Sequence, residues 1–238
     1  MSVFRFQQFD VIQSKNPLKV GTDSMLLGSF IDPASATTAL DIGAGTGVLS
    51  LMVLQKKPNI QLDAVEIHSA AAEECLLNLK NSPWGKSTQI HAIDFLAYYP
   101  SKQYDLIFSN PPFYLDGLKS GDKLIDQAKH ISRETYELFI RKTSELLSEY
   151  GRFYVIVPFD QFNYILSVAK QNGLHPSQKI TIHATAEKLN SRVILVFEKC
   201  EGTLIESALT IRLTGGGYTP EYIALTKHYH HTDLTAKN

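Results

Sequence analysis

Cysteine is scarce in this sequence of 238 residues, which contains only Cys75 and Cys200. Cys75 falls inside a predicted helix, and Cys200 follows a predicted strand. Two cysteines placed so far apart form neither a CxxC motif nor the framework of disulfides that small secreted domains need. The cysteine content therefore favours a protein of a reducing compartment.

Long apolar runs are also missing. No stretch approaches the ~20 apolar residues of a membrane-spanning helix, and residues 1–10 lack the apolar core of ~7–15 residues that a secretory signal requires. We therefore expect a cytoplasmic protein that does not contact the membrane.

An excess of charge is lacking too, because the formal net charge is only −1. A nucleic acid would have to be bound by a local basic patch. Near the C-terminus, His228, His230 and His231 have no cysteine or carboxylate at ligand spacing. We expect no metal site there, and a solvent-exposed chain end instead.

Strand-like and helix-like apolar periodicities alternate along the chain, as in a mostly parallel sheet covered by helices on both faces. The pattern predicts strands near 38–42, 61–66, 88–93, 104–109, 152–157, 178–183 and 192–198. It predicts helices near 47–55, 69–80, 133–148 and 159–171, with Gly151 and Gly173 as helix stops. The last two strands are too close for a crossover helix, so we expect an antiparallel pair at the sheet edge. The predicted fold is a Rossmann-like α/β sheet of seven strands, mostly parallel, with an antiparallel edge strand.

Glycine is concentrated in one loop between the first predicted strand and its helix. The strand ends at Asp41 and Ile42, and Gly43, Gly45 and Gly47 follow at every second position. Without Cβ atoms, such a loop lets the backbone pass very close to a ligand. The spacing differs from the G-x-G-x-x-G dinucleotide fingerprint, and the Lys-Ser/Thr end of a P-loop is absent. We interpret the loop as a cradle for a nucleoside with few phosphates, and S-adenosylmethionine is the obvious ligand.

Acidic side chains follow the next two predicted strands. Glu66 ends the second strand, where a carboxylate can accept hydrogen bonds from the ribose hydroxyls of a nucleoside held at the neighbouring loop. Asp94 follows the third strand and would accept from the exocyclic amine of the adenine ring, while Phe95 would pack on the face of the purine. The alternative for Asp94 is that it only caps a short helical turn.

The fourth predicted strand ends in Asn110, Pro111, Pro112 and Phe113. Ligands of open α/β sheets bind outside the carboxyl ends of the strands, so this tetrapeptide should lie beside the glycine loop. Two prolines fix the turn and remove two backbone donors, which leaves carbonyl oxygens, the Asn110 side-chain oxygen and one aromatic face. Two acceptors on the N–H bonds of a planar amine stabilise the positive charge that develops as its nitrogen attacks a methyl group. Phe113 would stack on the planar group and orient it.

In this order, the glycine loop, Glu66, Asp94 and Asn110–Phe113 resemble the class I S-adenosylmethionine-dependent methyltransferases. Within that class they resemble the amino-methyltransferases with an Asn-Pro-Pro-aromatic motif. Many members have Tyr at the position of Phe113; stacking survives this change, whereas any role of a phenol hydroxyl does not.

Segments outside the core point to a narrower family. The leader around Lys19, Thr22 and Asp23 and a C-terminal tail rich in tyrosine are similar to the bacterial tRNA1(Val) (adenine(37)-N6)-methyltransferases. Further positions that match this family are Gln8, Phe9, Val11, Val20, Gly21, Leu26, Leu27, Gly28, Ser82, Pro83, Trp84, Arg192, Tyr218, Glu221, Tyr222, Leu225, Thr226 and Tyr229. Ser24 departs from the pattern, which has glycine there, and could change the turn.

The family resemblance implies S-adenosylmethionine as cofactor and a valine tRNA as substrate, methylated on the adenine N6 beside its anticodon. Because the sequence has no internal repeat, no low-complexity tract and no linker rich in Pro, Gly or Ser, we predict one methyltransferase domain over 1–238. It would consist of an N-terminal arm and helix at 1–37, a cofactor-binding and catalytic core at 38–199 and an extension at 200–238. The Lys19–Asp23 turn would lie over the methionine end of the cofactor; alternatively, Thr22 or Asp23 merely caps the following helix. We predict that Lys119, Lys123, Lys129, His130 and Arg133 either contact phosphates or belong to a solvated loop.

Two other functions compete with this interpretation. A protein-glutamine methyltransferase would solve the same chemical problem, because its target is the amine of a side-chain amide. That family usually has a sizeable helical domain before the first strand, whereas only about 38 residues precede it here. A non-catalytic nucleic-acid-binding protein with a relict cofactor cradle would not depend on Asn110.

Overall fold

The computed structural model describes residues 2–14, 19–85, 88–111, 132–188 and 191–235. Within these ranges the chain forms ten strands and six α-helices. The strands are β1 (Val3–Arg5), β2 (Asp10–Ile12), β3 (Thr38–Ile42), β4 (Gln61–Glu66), β5 (Thr88–Ala92), β6 (Tyr104–Ser109), β7 (Leu147–Pro158), β8 (His175–Thr185), β9 (Arg192–Glu198) and β10 (Ile205–Arg212). The helices are α1 (Thr22–Phe30), α2 (Val48–Lys56), α3 (Ser69–Asn81), α4 (Arg133–Leu146), α5 (Phe162–Gln171) and α6 (Pro220–Thr226).

Eight strands form one sheet in the order β10-β8-β9-β7-β6-β3-β4-β5. Every neighbouring pair is parallel except those of β9, which runs antiparallel to both β7 and β8. The predicted α/β class is confirmed, as is the antiparallel pairing of β8 with β9. The predicted count of seven strands and the place of the antiparallel strand at the edge were wrong, because β10 pairs with β8 and forms the edge itself.

Helices cover both faces of the sheet, and the strand residues alternate between two apolar cores. In β7, Phe153 and Val155 pack with residues of α4 and α5, whereas Tyr154 and Ile156 pack with residues of α1, α2 and α3. Side chains of a strand point alternately to its two faces, so a strand buried on both sides is apolar nearly throughout. This burial fixes the sheet register and hence the level at which each strand ends.

Two predicted helix stops have different outcomes. Gly173 has φ +73° and follows Asn172, the C-cap residue of α5, as expected of a glycine that ends a helix. Gly151 lies inside β7 instead, where an added Cβ would approach the Tyr104 carbonyl oxygen to 2.9 Å. There, the close approach of β6 and not a helix end requires glycine.

The segment before the C-terminus packs against the protein through Tyr229 and the backbone of His230, whereas His228 and His231 are exposed, as expected. Tyr229 is buried, its hydroxyl donates to the carbonyl oxygen of Met52 at 3.2 Å, and its own carbonyl accepts from the N–H of Gln7 at 2.9 Å. The His230 backbone bridges to Phe6. Among the described residues, no helix is long and apolar enough to span a membrane, and no group of three or more potential metal ligands occurs.

Candidate active site

A cavity of about 410 Å³ opens at the carboxyl ends of β3, β4, β5 and β6. The chain passes from β3 to β4 and β5 on one side and returns to β6 on the other, so the cavity lies where the strand order reverses. Crevices at this point of open α/β sheets bind ligands. Eight of the predicted site residues line the cavity: Lys19, Gly43, Gly45, Glu66, Asp94, Phe95, Asn110 and Pro111.

The glycine loop forms one wall of the cavity with a backbone that favours glycine. Gly43, Gly45 and Gly47 have φ values of 74°, 55° and 78°, which lie in the left-handed region that disfavours residues with a Cβ. At Gly47, which precedes α2, an added Cβ would also come within 2.7 Å of the Cys75 sulfur. The left-handed conformation of the three glycines and the close packing of Gly47 on α3 therefore hold the loop at the carboxyl end of β3.

Glu66 stands at the end of β4 with only 6% of its surface exposed. Its Oε2 accepts a hydrogen bond from the N–H of Gly45 at 2.8 Å, and its Oε1 accepts from the N–H of His68 at 2.9 Å. Each carboxylate oxygen has two lone pairs, so each can accept one more hydrogen bond. The backbone thus orients Glu66 beside the glycine loop.

Asp41 lies behind the loop and is not part of the described cavity wall. It is fully buried, and its Oδ2 accepts from the Ser50 hydroxyl at 2.6 Å and from the Ser50 N–H at 3.1 Å. Its Oδ1 has no hydrogen-bond partner within the described ranges. Burial raises the pKa of the Asp41 carboxyl from 3.8 to about 7, with a smaller contribution from the nearby Glu66 charge. Asp41 links β3 to α2 and so supports the loop from below.

Asp94 caps a short turn, as the alternative interpretation predicts, and its contact with an adenine amine stays a prediction. Its Oδ1 accepts from the N–H of Leu96 at 2.9 Å and caps the short 3₁₀ turn of Phe95–Ala97. Asp94 and Phe95 also line the cavity together. Phe95 packs edge-on against Phe139 of α4, with ring centroids 5.5 Å apart. This turn is held from outside by Lys142, whose ammonium group donates to the Leu96 carbonyl at 2.7 Å.

The turn before α1 has a different geometry from the predicted cap. Gly21 is the N-cap residue of α1, without a side-chain cap, so neither Thr22 nor Asp23 has that role. Asp23 accepts instead from Nε of Arg192 at 2.9 Å. Thr22 and Asp23 do not line the described cavity, whereas Lys19 does, and the Lys19 ammonium donates to the carbonyl of Gln13.

Asn110 and Pro111 follow β6 directly and line the cavity. The preceding Ser109 donates from its hydroxyl to the carbonyl of Ile42 at 2.7 Å, which ties the end of β6 to β3. The Asn110 Nδ2 donates to the Ser24 hydroxyl oxygen at 3.2 Å. Pro112 and Phe113, and the basic residues Lys119, Lys123, Lys129 and His130, lie outside the described residues.

Comparison with known proteins shows the family to which the chain belongs. The model of the methyltransferase small domain matches residues 5–164. A relative from Flavobacterium johnsoniae, named tRNA1(Val) (adenine(37)-N6)-methyltransferase, is 39% identical over 96% of this chain and 99% of its own length. Relatives with the same name from Phocaeicola vulgatus and Pseudoalteromonas translucida are 36% and 32% identical, over 97% and 99% of their lengths. The chain belongs to this methyltransferase family.

Solved structures of other methyltransferases share the fold of this tRNA1(Val) (adenine(37)-N6)-methyltransferase family member. A predicted O-methyltransferase from Agrobacterium tumefaciens superposes with a TM-score of 0.70, at 17% identity, over 89% of this chain and 98% of its own. A ribosomal protein L11 methylase from Lactobacillus delbrueckii gives a TM-score of 0.54, at 16% identity, over 74% of this chain and 76% of its own. The family resemblance seen in the sequence is confirmed.

Several cavity residues of this family member escaped the sequence motifs. Ile67 follows Glu66 directly and has 59% of its surface exposed, and Ile93 directly precedes Asp94. An exposed isoleucine next to a strand-end carboxylate is a signal that sequence reading could have used. Ser24 from α1, and Thr135 and Phe139 from α4, also line the cavity. Ser24 adjoins the Lys19–Asp23 turn but stands out in the sequence only as a departure from the family pattern. Thr135 and Phe139 lie far from any motif, so only the tertiary packing of α4 places them at the cavity.

Proposed function

We propose that this protein transfers a methyl group from S-adenosylmethionine to the N6 amine of adenosine 37 in tRNA1(Val). The observation that carries the proposal is that Glu66, Asp94 and Asn110 line the same cavity, which the glycine loop closes on one side. Full-length relatives carry the name of this activity. A tRNA substrate also agrees with the expected cytoplasmic location.

The residues present fit the nucleoside half of S-adenosylmethionine. We assign the ribose hydroxyls to Glu66, whose oxygens keep lone pairs toward the cavity after accepting from Gly45 and His68. We assign the adenine to the recess between Ile67, Ile93 and the turn of Asp94 and Phe95. Apolar side chains would cover the faces of the purine, and the Asp94 carboxylate would accept from its amine.

The methionine end would lie along the glycine loop toward Lys19. Bound there, S-adenosylmethionine supplies a methyl group on a positively charged sulfur. Because a left-handed glycine loop brings backbone close to the ligand, the methyl group would be held facing the end of β6. Of the three loop glycines, Gly43 and Gly45 line the cavity, together with Ala44 and Thr46, whereas Gly47 does not.

We assign the Asn110 side-chain oxygen and the carbonyl oxygen of Pro111 as the acceptors for the target amine. They would accept the two N–H bonds of the adenine N6 and draw its lone pair out of conjugation. That lone pair would form the new N–C bond while the C–S bond of the bound cofactor breaks, with S-adenosylhomocysteine as the neutral leaving thioether. The nitrogen then loses one proton to solvent, so no carboxylate base is needed before the attack.

An adenosine reaches such a cavity only after leaving its base stack. Unstacking costs least in single-stranded loops, which is why sequence-specific RNA enzymes act on loops and bulges. Position 37 of a tRNA lies in the anticodon loop, so its base is available without opening a duplex. The chemistry and the name shared by the relatives agree on this point.

The proposal is tested with purified protein, S-adenosylmethionine labelled in the methyl group, and an unmodified tRNA1(Val) transcript. We expect one N6-methyladenosine per transcript by mass spectrometry of the nucleosides, and none in a matched transcript with guanosine at position 37. A release factor serves as the protein substrate that a glutamine methyltransferase would modify. Label in the release factor but not in the tRNA would reject the proposal, and label in neither would favour a non-catalytic role.

A further inference from the structure

Asn110 is in contact with a residue of α1 that no catalytic motif includes. Its Nδ2 lies 3.2 Å from the hydroxyl oxygen of Ser24, which is 86 positions away in the sequence. Ser24 belongs to the first turn of α1, is 9% exposed and lines the same cavity. The contact therefore joins the wall formed by α1 to the end of β6 beside the reacting atoms.

A serine hydroxyl can accept from the NH₂ group of an amide or donate to its oxygen. In this structure the Ser24 hydroxyl accepts from Nδ2 of Asn110. A side-chain amide has an accepting oxygen on one side and a donating NH₂ on the other. With Nδ2 directed to Ser24, Oδ1 is left for the target amine. In the opposite orientation the NH₂ group would meet an amine that itself donates, and the acceptor that the reaction needs would be lost.

Ser24 can serve as a fixed acceptor because α1 is held at both ends. Next to it, Asp23 is paired with Arg192 of β9 at 2.9 Å. At the other end, the Lys56 ammonium of α2 donates to the carbonyls of Gly28, Ser29 and Ile31. Between these ends, the intervening apolar residues of α1 are buried in the core. The Ser24 hydroxyl is thus placed by the fold before any substrate arrives.

We propose that Ser24 is a positioning residue, which sets the Asn110 amide so that its oxygen accepts from the target amine. The proposal rests on the function proposed above. It also gives Ser24, which departs from the glycine of the family pattern, a role in the site instead of in the turn.

Two substitutions separate this role from a merely structural one. Ser24→Ala removes the acceptor and leaves a methyl group in its place, whereas Ser24→Gly vacates enough space for a water to accept from Nδ2. Alanine is the better helix residue by about 1 kcal/mol, which is about fivefold in a folding equilibrium. A structural role therefore predicts that Ser24→Gly is the more harmful change, and a positioning role predicts that Ser24→Ala is.

Ser29→Ala is the matched control. Ser29 lies on the same helix, is also 9% exposed and makes one side-chain hydrogen bond, to the Met25 carbonyl at 2.7 Å. It does not line the cavity. Loss of its hydroxyl thus reproduces the effect of a buried serine on α1 without touching Asn110.

The measurement is methylation of the tRNA1(Val) transcript under saturating and limiting substrate, with binding of S-adenosylmethionine followed by calorimetry. We expect Ser24→Ala to lower kcat about tenfold, Ser24→Gly to lower it less, and Ser29→Ala to match wild type. KM for tRNA and the cofactor Kd should stay within about twofold in all three. Equal kcat for Ser24→Ala and wild type, or a larger loss for Ser24→Gly than for Ser24→Ala, would overturn the role of Ser24 alone. A wild-type protein inactive on tRNA would instead reject the proposed function, and the role of Ser24 with it.

Discussion

The carboxylate of Glu66 and the backbone of Gly45, 21 residues apart, are joined by a hydrogen bond of 2.8 Å. A second backbone N–H, that of His68, holds the other carboxylate oxygen at 2.9 Å. The side chain is thereby fixed before a ligand binds, so little rotamer entropy remains to be lost on binding. The cavity presents an oriented anion next to the glycine loop.

Glu66→Gln is expected to weaken S-adenosylmethionine binding about 10- to 100-fold. Glutamine loses the charge and turns an NH₂ group toward one of the two backbone donors. Calorimetric titration of wild type and variant would measure the two Kd values, and kcat at saturating cofactor should change much less. Glu149→Gln is the control for charge and size, since Glu149 is exposed near the start of β7 at the opposite end of the sheet. An unchanged Kd for Glu66→Gln would refute its role as ribose ligand.

Asn110→Ala is expected to lower kcat by about 10² to 10³, the usual loss when one group that stabilises transition-state charge is removed. Cofactor affinity should change less than about twofold, because we assign Asn110 to the target amine and not to the cofactor. Single-turnover methylation of the tRNA transcript and calorimetry measure the two quantities separately. Wild-type turnover in the variant would remove Asn110 from the reaction.

Gly43→Ala and Gly47→Ala form a matched pair in the glycine loop. Both positions have positive φ, so each substitution should cost about 1–2 kcal/mol of unfolding free energy. Only at Gly47 would the new Cβ lie 2.7 Å from the Cys75 sulfur, whereas at Gly43 nothing lies within 4 Å. Urea unfolding of the protein without cofactor should therefore show a larger loss for Gly47→Ala.

The cause of that excess is checked by adding Cys75→Ala. If the sulfur contact is responsible, the double variant should lose less stability than the sum of the two single variants. Strict additivity, or equal losses for Gly43→Ala and Gly47→Ala, would show that the contact with α3 is harmless.

The raised pKa of Asp41 should lower the free energy of unfolding as the pH rises from about 4 to about 7. Its pKa is raised to about 7 in the folded state from an ordinary 3.8, so between these values the folded chain holds a proton that the unfolded chain has lost. The stabilisation is complete below pH ~4 and is lost above pH ~7, with an upper bound of ~4 kcal/mol for this shift. Urea unfolding of wild type and Asp41→Asn at pH 5 and pH 8 measures it. An equal pH dependence in both proteins would contradict the prediction.

The sequence predicted most of the sheet because doubly buried strands are short apolar runs, as in β3, β4 and β9. The strand β10 escaped because only Leu209 of its eight residues is buried, so its apolar signal is weak. The start of β7 escaped as well, since α4 passes into it without a loop. Edge position and direct helix-to-strand junctions are decided by tertiary contacts that local periodicity does not contain.

The sequence predicts the site residues that follow parallel strands, because the carboxyl ends of those strands must lie on the same side of the sheet. Glu66, Asp94 and Asn110 meet there for this reason. The pairings Ser24 with Asn110 and Asp23 with Arg192 span 86 and 169 positions and depend on where α1 docks. Asp41 follows the same rule of strand ends, yet its side chain turns to Ser50 behind the loop, which the one-dimensional pattern could not reveal.

The three hydrogen bonds from Lys56 to the carbonyls of Gly28, Ser29 and the C-cap residue Ile31 fasten the end of α1 to α2, whose first turn continues the glycine loop. The helix that carries Ser24 is therefore tied to the helix that continues the glycine loop. We expect either ligand to leave the spacing of these two helices unchanged, so that the incoming nucleotide is selected on this side by steric fit and not by clamping.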